Sequence, residues 1–413
     1  MARRPSLRIL MTTDTYFPRI SGVASSIESF CAGLMCLGHK VDILLPTYDG
    51  QEGSGMDRHN GRDAAQLWRL PARQIPLYPE ERFMRLRALR AMRHALERAA
   101  YDIIHIQTPF IAHYYGVHLA RRWRVPAVLS YHTYFEAYAD YYYPKIPGAL
   151  RRGMVRRVSR QQCNGVHGVV VPSRAMAEIL WGYGVNPPVR VIPTGVQPHH
   201  FAEGNGTEFR RRHAIAPQRP TLLYAGRIAP EKNISMLFNM LPHILRQMPD
   251  VLLMLAGDGP ARPMLETLAQ TRDLTDAVRF LGYLDRKEAL KDAYAAADLF
   301  VFPSQTETQG MVLIEALAAG LPVVGVPALG SADLLGLGKG TRSVRNDPMD
   351  MAHQCLTLLR DHGLRAQLAA EARQMAATWS EDQMAQKLSA FYAEVVDQAA
   401  AVPLLNAGVA RQK

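Results

Sequence analysis

Two glutamates, Glu307 and Glu315, follow the apolar run Leu299–Phe302 with seven residues between them. The run has the length of a buried strand, and Thr308-Gln309-Gly310-Met311 reads as a turn opening a helix. Glu307 then lies in the turn, and Glu315 sits about two turns into the helix. A carboxylate in such a turn accepts hydrogen bonds from sugar hydroxyls, and a second one farther along accepts them from a ribose diol. The free amides of a helix start favour anions, phosphate among them. A plainer arrangement fits the same spacing, with Glu307 capping the helix and Glu315 solvated. Arg227 and Lys232 follow a second apolar run, Thr221–Ala225, and a glycine. By themselves they read as two surface charges. His132 ends a third run in Ser130-Tyr131-His132-Thr133, where a lone histidine is usually a hydrogen-bonded structural group.

Short apolar runs that alternate with helical stretches must position these residues. In the first half the runs are Leu7–Met11, Val41–Leu45, Ile103–Ile106, Ala127–Ser130, Val169–Val171 and Val189–Ile192. The pattern restarts at Thr221–Ala225 and continues through Val251–Ala256, Val278–Leu281, Leu299–Phe302 and Val323–Val326. Such alternation predicts parallel sheets with helices on both faces, an α/β fold. At 413 residues the chain is long enough for two such units. The spacing predicts a helix over about Val23 to Leu37, stopped by Gly38. Gln197 to Arg219, rich in Gly, Pro, His and Arg, reads as a linker. The boundaries expected are 1–198 and 199–380, with a last helix over about 381–400 able to return to the first domain.

No apolar run reaches the length of a membrane span, and the first residues lack the pattern of a signal peptide. The four cysteines form no Cys-x-x-Cys pair, so neither zinc nor a disulfide framework is indicated. These features predict a cytoplasmic enzyme. The net charge of +11 is uneven: residues 1–200 carry 26 basic and 14 acidic side chains, residues 201–413 carry 22 and 23. The first half therefore holds the whole excess, +12 against −1, which points to an anionic partner, membrane surface or nucleic acid.

Taken together, these segments resemble the GT-B glycosyltransferases of family 4, whose hallmark is the Glu307-x7-Glu315 segment. Ala225-Gly226-Arg227-Ile228-Ala229-Pro230-Glu231-Lys232-Asn233 is similar to the family's second element, and the likeness runs from Arg8 to about Trp379. The resemblance implies two Rossmann-like domains facing across a cleft, the first for the acceptor and the second for a nucleotide-diphosphate sugar. It implies that Arg227 and Lys232 clamp the donor diphosphate, because two cations offset the charge that grows as the leaving group departs. His132 would contact the transferred sugar, with its backbone carbonyl facing the anomeric carbon, and Glu307 would complete the catalytic set. Thr308, Gln309, Gly310, Met311 and Glu315 would bind the donor. Tyr283 and Leu284, in Phe280-Leu281-Gly282-Tyr283-Leu284, would flank the base. Ala256-Gly257-Asp258-Gly259-Pro260 is similar to a glycine turn that either faces ligand or is simply tight. Val191-Ile192-Pro193-Thr194-Gly195-Val196 is similar to a turn near the domain junction. In Thr13-Asp14-Thr15-Tyr16-Phe17-Pro18-Arg19-Ile20-Ser21-Gly22-Val23 the family's glycine loop is recognisable, with Gly22 approaching the diphosphate or acceptor and Ser21 where a second glycine is common. No Gly-x-Gly-x-x-Gly occurs there, which argues against an oxidoreductase. The implied reaction retains the anomeric configuration and forms an α-linkage, with no metal and no other cofactor.

The wording of Thr13–Pro18, His132–Glu136 and Thr306–Gly310 is similar to bacterial diacylglycerol glucosyltransferases, and polysaccharide mannosyltransferases share parts of it. A hexose, glucose from UDP-glucose, moved to a lipid such as diacylglycerol is the reading this implies. The alternative is a mannosyl or other hexosyl transfer to a polysaccharide or polyprenyl-linked saccharide. The tyrosines from Tyr134 to Tyr143 suit a water–lipid interface, an acceptor sugar or a core. The segment Pro79 to Ala100 reads as one helix, with Arg87, Arg90, Arg93, His94 and Arg98 opposite an apolar side and Phe83 and Leu86 on the basic side. That face suits an anionic membrane or is an ordinary soluble surface. A peripheral location on the inner face of the cell membrane follows from the first choice. Arg151, Arg152, Arg156, Arg157 and Arg160 form a further run, which alone reads as a solvated helix face. A nucleic-acid partner is not expected, since no such motif is present. An epimerase or hydrolase of the nucleotide sugar is a further possibility.

Overall fold

The computed structural model describes residues 6–19, 21–48, 55–57, 65–75, 78–142, 146–286 and 288–401. The chain folds as two compact units. One runs through Pro172 and includes Met176–Gly195 and the chain from Glu381 on; the other is Ser173–Ala175 and Val196–Ser380.

The first unit contains β1 (Arg8–Thr12), α1 (Gly22–Cys36), β2 (Lys40–Pro46), β3 (Gly55–Asp57), β4 (Ala65–Leu70), β5 (Ala72–Ile75), β6 (Tyr78–Met84), α2 (Leu86–Glu97) and β7 (Ile103–Ile106). It continues with α3 (Ile111–Trp123), β8 (Ala127–Ser130), α4 (Phe135–Tyr142), α5 (Gly148–Cys163), β9 (Gly168–Val171), most of α6 (Arg174–Gly182) and β10 (Val189–Val191). The second unit holds α7 (Pro198–Ala202), α8 (Gly206–Arg212), β11 (Thr221–Ala225), α9 (Ser235–Leu245), β12 (Leu252–Ala256), α10 (Arg262–Thr271), β13 (Val278–Gly282) and α11 (Ala289–Ala296). It ends with β14 (Leu299–Phe302), α12 (Met311–Ala318), β15 (Val323–Gly325), α13 (Ala332–Leu335), β16 (Thr341–Ser343), α14 (Pro348–Arg360) and α15 (His362–Ala377). The last helix, α16 (Glu381–Ala401), belongs to the first unit.

The sheet orders are β10-β9-β8-β7-β1-β2-β4-β3 and β13-β12-β11-β14-β15-β16. Within these two sheets every pairing is parallel except β3 with β4, and β5 and β6 form a separate antiparallel pair. The central strands are buried along almost all of their length and are mainly apolar because helices cover both faces. In the first unit one face packs Leu89 and Leu96 of α2, Leu119 of α3 and Cys163 of α5. The other packs Ile27 and Phe30 of α1 with Met384, Leu388, Phe391 and Tyr392 of α16. In each sheet the strand order reverses at one point, between β1 and β7 and between β11 and β14. The chain ends leaving those strands diverge there, and open α/β sheets bind their ligands in that crevice.

Two sequence expectations need correction. Gln197 to Arg219 is not a linker: it carries α7 and α8, and Phe201, Phe209 and Ile215 are buried in the second unit. Pro79 to Ala100 is not one helix. Its first residues form β6, antiparallel to β5 with Arg73 opposite Phe83, and α2 starts only after Arg85. Pairing to a neighbouring strand outweighed a helical pattern only a few residues long, and Pro79 is tolerated because an isolated hairpin is all edge. Short β4 and β16 gave no clear apolar run.

Candidate active site

Lys232 and Glu307 meet at the switch point of the second sheet, one from the segment after β11 and the other from the segment after β14. Lys232 Nζ lies 2.7 Å from Glu307 Oε2, and the side chains are 18% and 23% exposed. The two segments are stitched together. Asn233, in the left-handed region at φ 55°, donates from Nδ2 to the Pro303 carbonyl at 3.2 Å and to Asn346 Oδ1 at 3.0 Å. Thr306 Oγ1 donates to the Glu231 carbonyl at 3.0 Å. Arg227 lies in the same segment, exposed, with its carbonyl accepting from the buried Tyr224 hydroxyl. Burial first, then the Glu307 and Glu231 charges, push that phenol well above its usual range. Glu307 does not cap α12. Gly310 is the N-cap residue at φ 81°, with Thr308 half-buried, Gln309 buried and Met311 opening the helix.

Glu315 is not solvated; it is 2% exposed. Arg286 Nη2 lies 2.7 Å and Nε 2.8 Å from its Oε1, and the Tyr294 hydroxyl donates to Oε2 at 3.0 Å. Burial, then the Glu315 charge, raises Tyr294 far above the ordinary phenol range. Leu284 packs against the core, while Tyr283 is 54% exposed beside it. The glycine turn after β12 is tight because it packs against the turn after β11. Gly257 has φ 137°, and a Cβ on it would lie 1.9 Å from the Gly226 carbonyl oxygen. Backbone thus packs on backbone directly under Arg227.

At the first sheet's switch point, Asp14 follows β1 and Thr108 follows β7. Thr108 Oγ1 donates to Asp14 Oδ2 at 2.7 Å, and the Ala112 amide at the start of α3 donates to the same carboxylate at 3.1 Å. Ser21, in place of a glycine, is the N-cap of α1 and accepts from the Ala24 amide at 3.1 Å, so Gly22 is the first helical residue. The expected turn at Gly195 is held by α1, since Ser29 Oγ donates to its carbonyl at 3.0 Å.

His132 follows β8. Its Nε2–H donates to Gln107 Oε1 at 3.0 Å, and burial lowers the imidazole to about 4. The ring is therefore neutral at pH 7. Behind it, His105 bonds to the Tyr392 hydroxyl at 2.5 Å and to Ser130 Oγ at 2.8 Å, and burial, with the His132 charge, lowers it to about 3. Next comes α4, where buried Glu136 accepts from Arg156 Nε at 2.7 Å and the Tyr183 hydroxyl at 2.6 Å. Burial alone would raise this carboxyl, but Arg156 and Tyr183 outweigh it and hold it below the usual range. Tyr134 is half-buried with its hydroxyl 3.5 Å from Glu136.

On α2, Arg87 and Arg90 are exposed, whereas Arg93 turns back, its Nε 3.6 Å from Glu97. Phe83 lies on β6 and cannot share the face of α2. The side chains of Phe83 and Leu86 are outside the described residues, as are those of Tyr138 and 140–145. Among the described residues no group of three His, Cys, Asp or Glu is arranged to hold a metal ion, and no helix is long and apolar enough to cross a membrane.

The switch point therefore brings Lys232 and Glu307 together, with Arg227 in the same segment as Lys232 and Glu315 in the helix behind. It keeps His132 in the other unit. Sequence reasoning missed Gln107, Arg286 and Tyr294. Gln107 follows a strand end and was open to the same rule as His132; Arg286 and Tyr294 carry no local signal, because only the fold brings them to Glu315.

Residues 20–200 match the family model Glycosyltransferase Family 4, and residues 205–375 match Glycosyl transferases group 1. An alpha-monoglucosyldiacylglycerol synthase of Streptococcus pneumoniae is 35% identical over 326 residues, 77% of this chain and 70% of that one. A GDP-mannose-dependent alpha-mannosyltransferase of Mycobacterium tuberculosis is 30% identical over 334 residues, 80% of this chain and 81% of that one. Among solved structures, the sucrose-phosphate synthase of Thermosynechococcus elongatus superposes with a TM-score of 0.77 at 21% identity, covering 95% of this chain and 100% of that one. Anabaena HepE, solved with UDP, does so with a TM-score of 0.71 at 17% identity, over 94% and 100%. Two parallel-sheet units of the GT-B kind, each carrying its half of the family match, make this chain a member of the family 4 glycosyltransferases.

Proposed function

We propose that the protein moves glucose from UDP-glucose to a membrane lipid such as diacylglycerol and forms an α-linkage. The observation that carries this is the Lys232–Glu307 pair at the switch point, in a chain so similar to an alpha-monoglucosyldiacylglycerol synthase. Arg227 and Lys232 bear the diphosphate. An ammonium has three donors, so Lys232 serves Glu307 and phosphate oxygen together. Glu307 orients the sugar hydroxyls, and Glu315 receives the ribose on the lone pairs that Arg286 and Tyr294 leave. Tyr283 and Leu284 flank the base, and Gly22 serves the diphosphate. The amides from Thr308 to Met311 add positive potential at the anion.

The acceptor hydroxyl oxygen bonds to the anomeric carbon on the face from which the diphosphate leaves. The carbon–oxygen bond to the diphosphate breaks with its electron pair on phosphate oxygen, and that phosphate takes the acceptor's proton. His132, neutral and with its Nε2–H given to Gln107, offers Nδ1 as an acceptor to a sugar hydroxyl, and its carbonyl faces the developing positive charge. Two side-chain cations perform the charge stabilisation, so no metal is required. The enzyme works as a peripheral protein on the cytoplasmic face of the membrane, aided by the exposed Arg87 and Arg90 of α2, with Tyr134 beside the acceptor.

The test is incubation with UDP-glucose or GDP-mannose and detergent-dispersed diacylglycerol, with and without EDTA. An α-glucosyl lipid, seen by mass and by the anomeric proton coupling, is expected in both conditions. A β-coupling sinks the front-face mechanism, and loss in EDTA with rescue by Mg²⁺ sinks the metal-free one. Turnover with GDP-mannose alone supports the second reading, a mannosyltransferase, which the similarity to the mycobacterial enzyme favours.

A further inference from the structure

The arginine run of α5 is not a uniformly solvated face. Leu150, Met154 and Val158 are 67%, 56% and 43% exposed. They recur every four residues, so at about 100° per residue they fill a strip about 80° wide along the helix. Arg157 and Arg160 are exposed on the next arc, and neither has an ion-pair partner among the described residues. The buried side carries Arg151, Ser159, Gln162 and Cys163.

The end of α5 is tied to the start of α3. Gln162, one turn beyond Val158, donates from Nε2 to the Pro109 carbonyl at 2.7 Å and lies 3.5 Å from the Tyr114 hydroxyl. Phe110 and Tyr114, at the start of α3, are 49% and 63% exposed. Leu150, Met154 and Val158 thus form one exposed apolar row on α5, bordered by arginine, and Phe110 and Tyr114 stand exposed on the far side of Gln162. Scattered apolar residues on a surface need no explanation, but a contiguous row with a charged border marks a docking surface.

We propose that this row on α5 is where the protein enters the surface of an anionic bilayer. The charge pattern selects that occupant. Arginine beside exposed Leu, Met and Val places its guanidinium at the phosphate level while the apolar tips sit among acyl chains. The charge excess of residues 1–200 favours the same partner. The surface lies close in the chain to the candidate acceptor site, since Glu136 fastens α4 to Arg156 of α5 and α4 follows His132 directly. Its neighbour α2 lies on the other side of α3, tied by the Tyr115 hydroxyl to the Leu89 carbonyl at 2.7 Å. Arg87 and Arg90 of α2 and the strip on α5 therefore flank one helix on one face of the sheet. The biological sense of this surface rests on the lipid-acceptor reading above, but its test does not.

The test is co-sedimentation of the full chain with vesicles of phosphatidylcholine alone or mixed with phosphatidylglycerol, at low and high salt. Wild type should bind only the mixed vesicles. Leu150→Ser, Met154→Ser and Val158→Ser together should weaken that binding at least tenfold at both salt concentrations. Arg157→Glu with Arg160→Glu should remove the salt-sensitive part. All five positions are exposed, so an unchanged circular dichroism spectrum and melting point are expected and serve as the folding control. Triple-variant binding equal to wild type overturns the proposal, as does absence of wild-type binding at low salt. A shift of the triple variant from oligomer to monomer in sedimentation velocity, with vesicle binding intact, assigns the row to a second copy of the chain and also overturns it. If binding depends on the strip while wild type glycosylates no lipid, the docking surface stands and the lipid-acceptor reading falls.

Discussion

A single ammonium–carboxylate contact sits where the second sheet opens. With both partners about one-fifth exposed, it contributes little to stability, since partly solvated pairs are worth about 1 kcal/mol or less. Its value is positional: each group holds the other where a charged, hydroxylated ligand would arrive. Lys232→Ala or Arg227→Ala should lower kcat/KM by about 100- to 1000-fold, the range for losing one preorganised charge, with the melting point almost unchanged. Near-wild-type turnover in either purified variant would remove it from the diphosphate role. Glu315 is different in kind. Glu315→Ala would strand Arg286 and Tyr294 as well as change binding, and buried polar groups left alone are costly. The difference between the two glutamates was invisible in the sequence. Spacing put both near a helix start, but only the fold brings Arg286 and Tyr294, twenty-nine and twenty-one residues away, to one of them.

At the scale of elements, the strands that carry the site are the ones the sequence displayed most plainly. β7, β8, β11 and β14 are buried along their whole length because both their faces are covered. The elements that escaped notice lie at edges or in a hairpin. β3, β5 and β6 owe their form to a partner strand rather than to burial, and a partner leaves no periodic trace. The turns between strand and helix follow a separate rule. Gly257→Ala would place a methyl group 1.9 Å from the Gly226 carbonyl in a backbone already at φ 137°. The cost is about 2–3 kcal/mol or more, and the segment bearing Arg227 must move. We expect a fall in the melting temperature of the second unit together with a raised KM for the nucleotide sugar. Gly153→Ala is the control, since nothing lies within 4 Å of a Cβ there and α5 should gain about 0.5–1 kcal/mol. Equal melting points for the two variants would contradict the backbone-packing account.

Across the whole molecule the two units differ in how they meet acid. The charge asymmetry was legible by counting side chains. The histidines were not, because burial belongs to the fold. In the first unit burial lowers His105 to about 3, His113 to about 4 and His132 to about 4, and it also lowers His39 and His167. In the second unit burial and then Arg279 lower the His213 ring. These rings are neutral when folded and take up protons near pH 6.5 when unfolded, so between those values the unfolded chain binds more protons. Stability is full above pH 6.5 and is lost as pH falls toward 4. At pH 5 each strongly lowered ring costs up to about 2 kcal/mol, from roughly 1.4 kcal/mol per pH unit. His105, His113 and His132 together cost on the order of 5 kcal/mol, a large share of ordinary domain stability. The protons arrive in the unit that already holds the positive excess, so repulsion adds to the loss. Hydrogen exchange resolved by peptide, at pH 7 and pH 5 and corrected for intrinsic rates, measures the two units separately. Protection should drop in β7 and β8 and hold in β11 and β14. Equal loss in both units, or none in the first, would show that these rings do not govern the acid response.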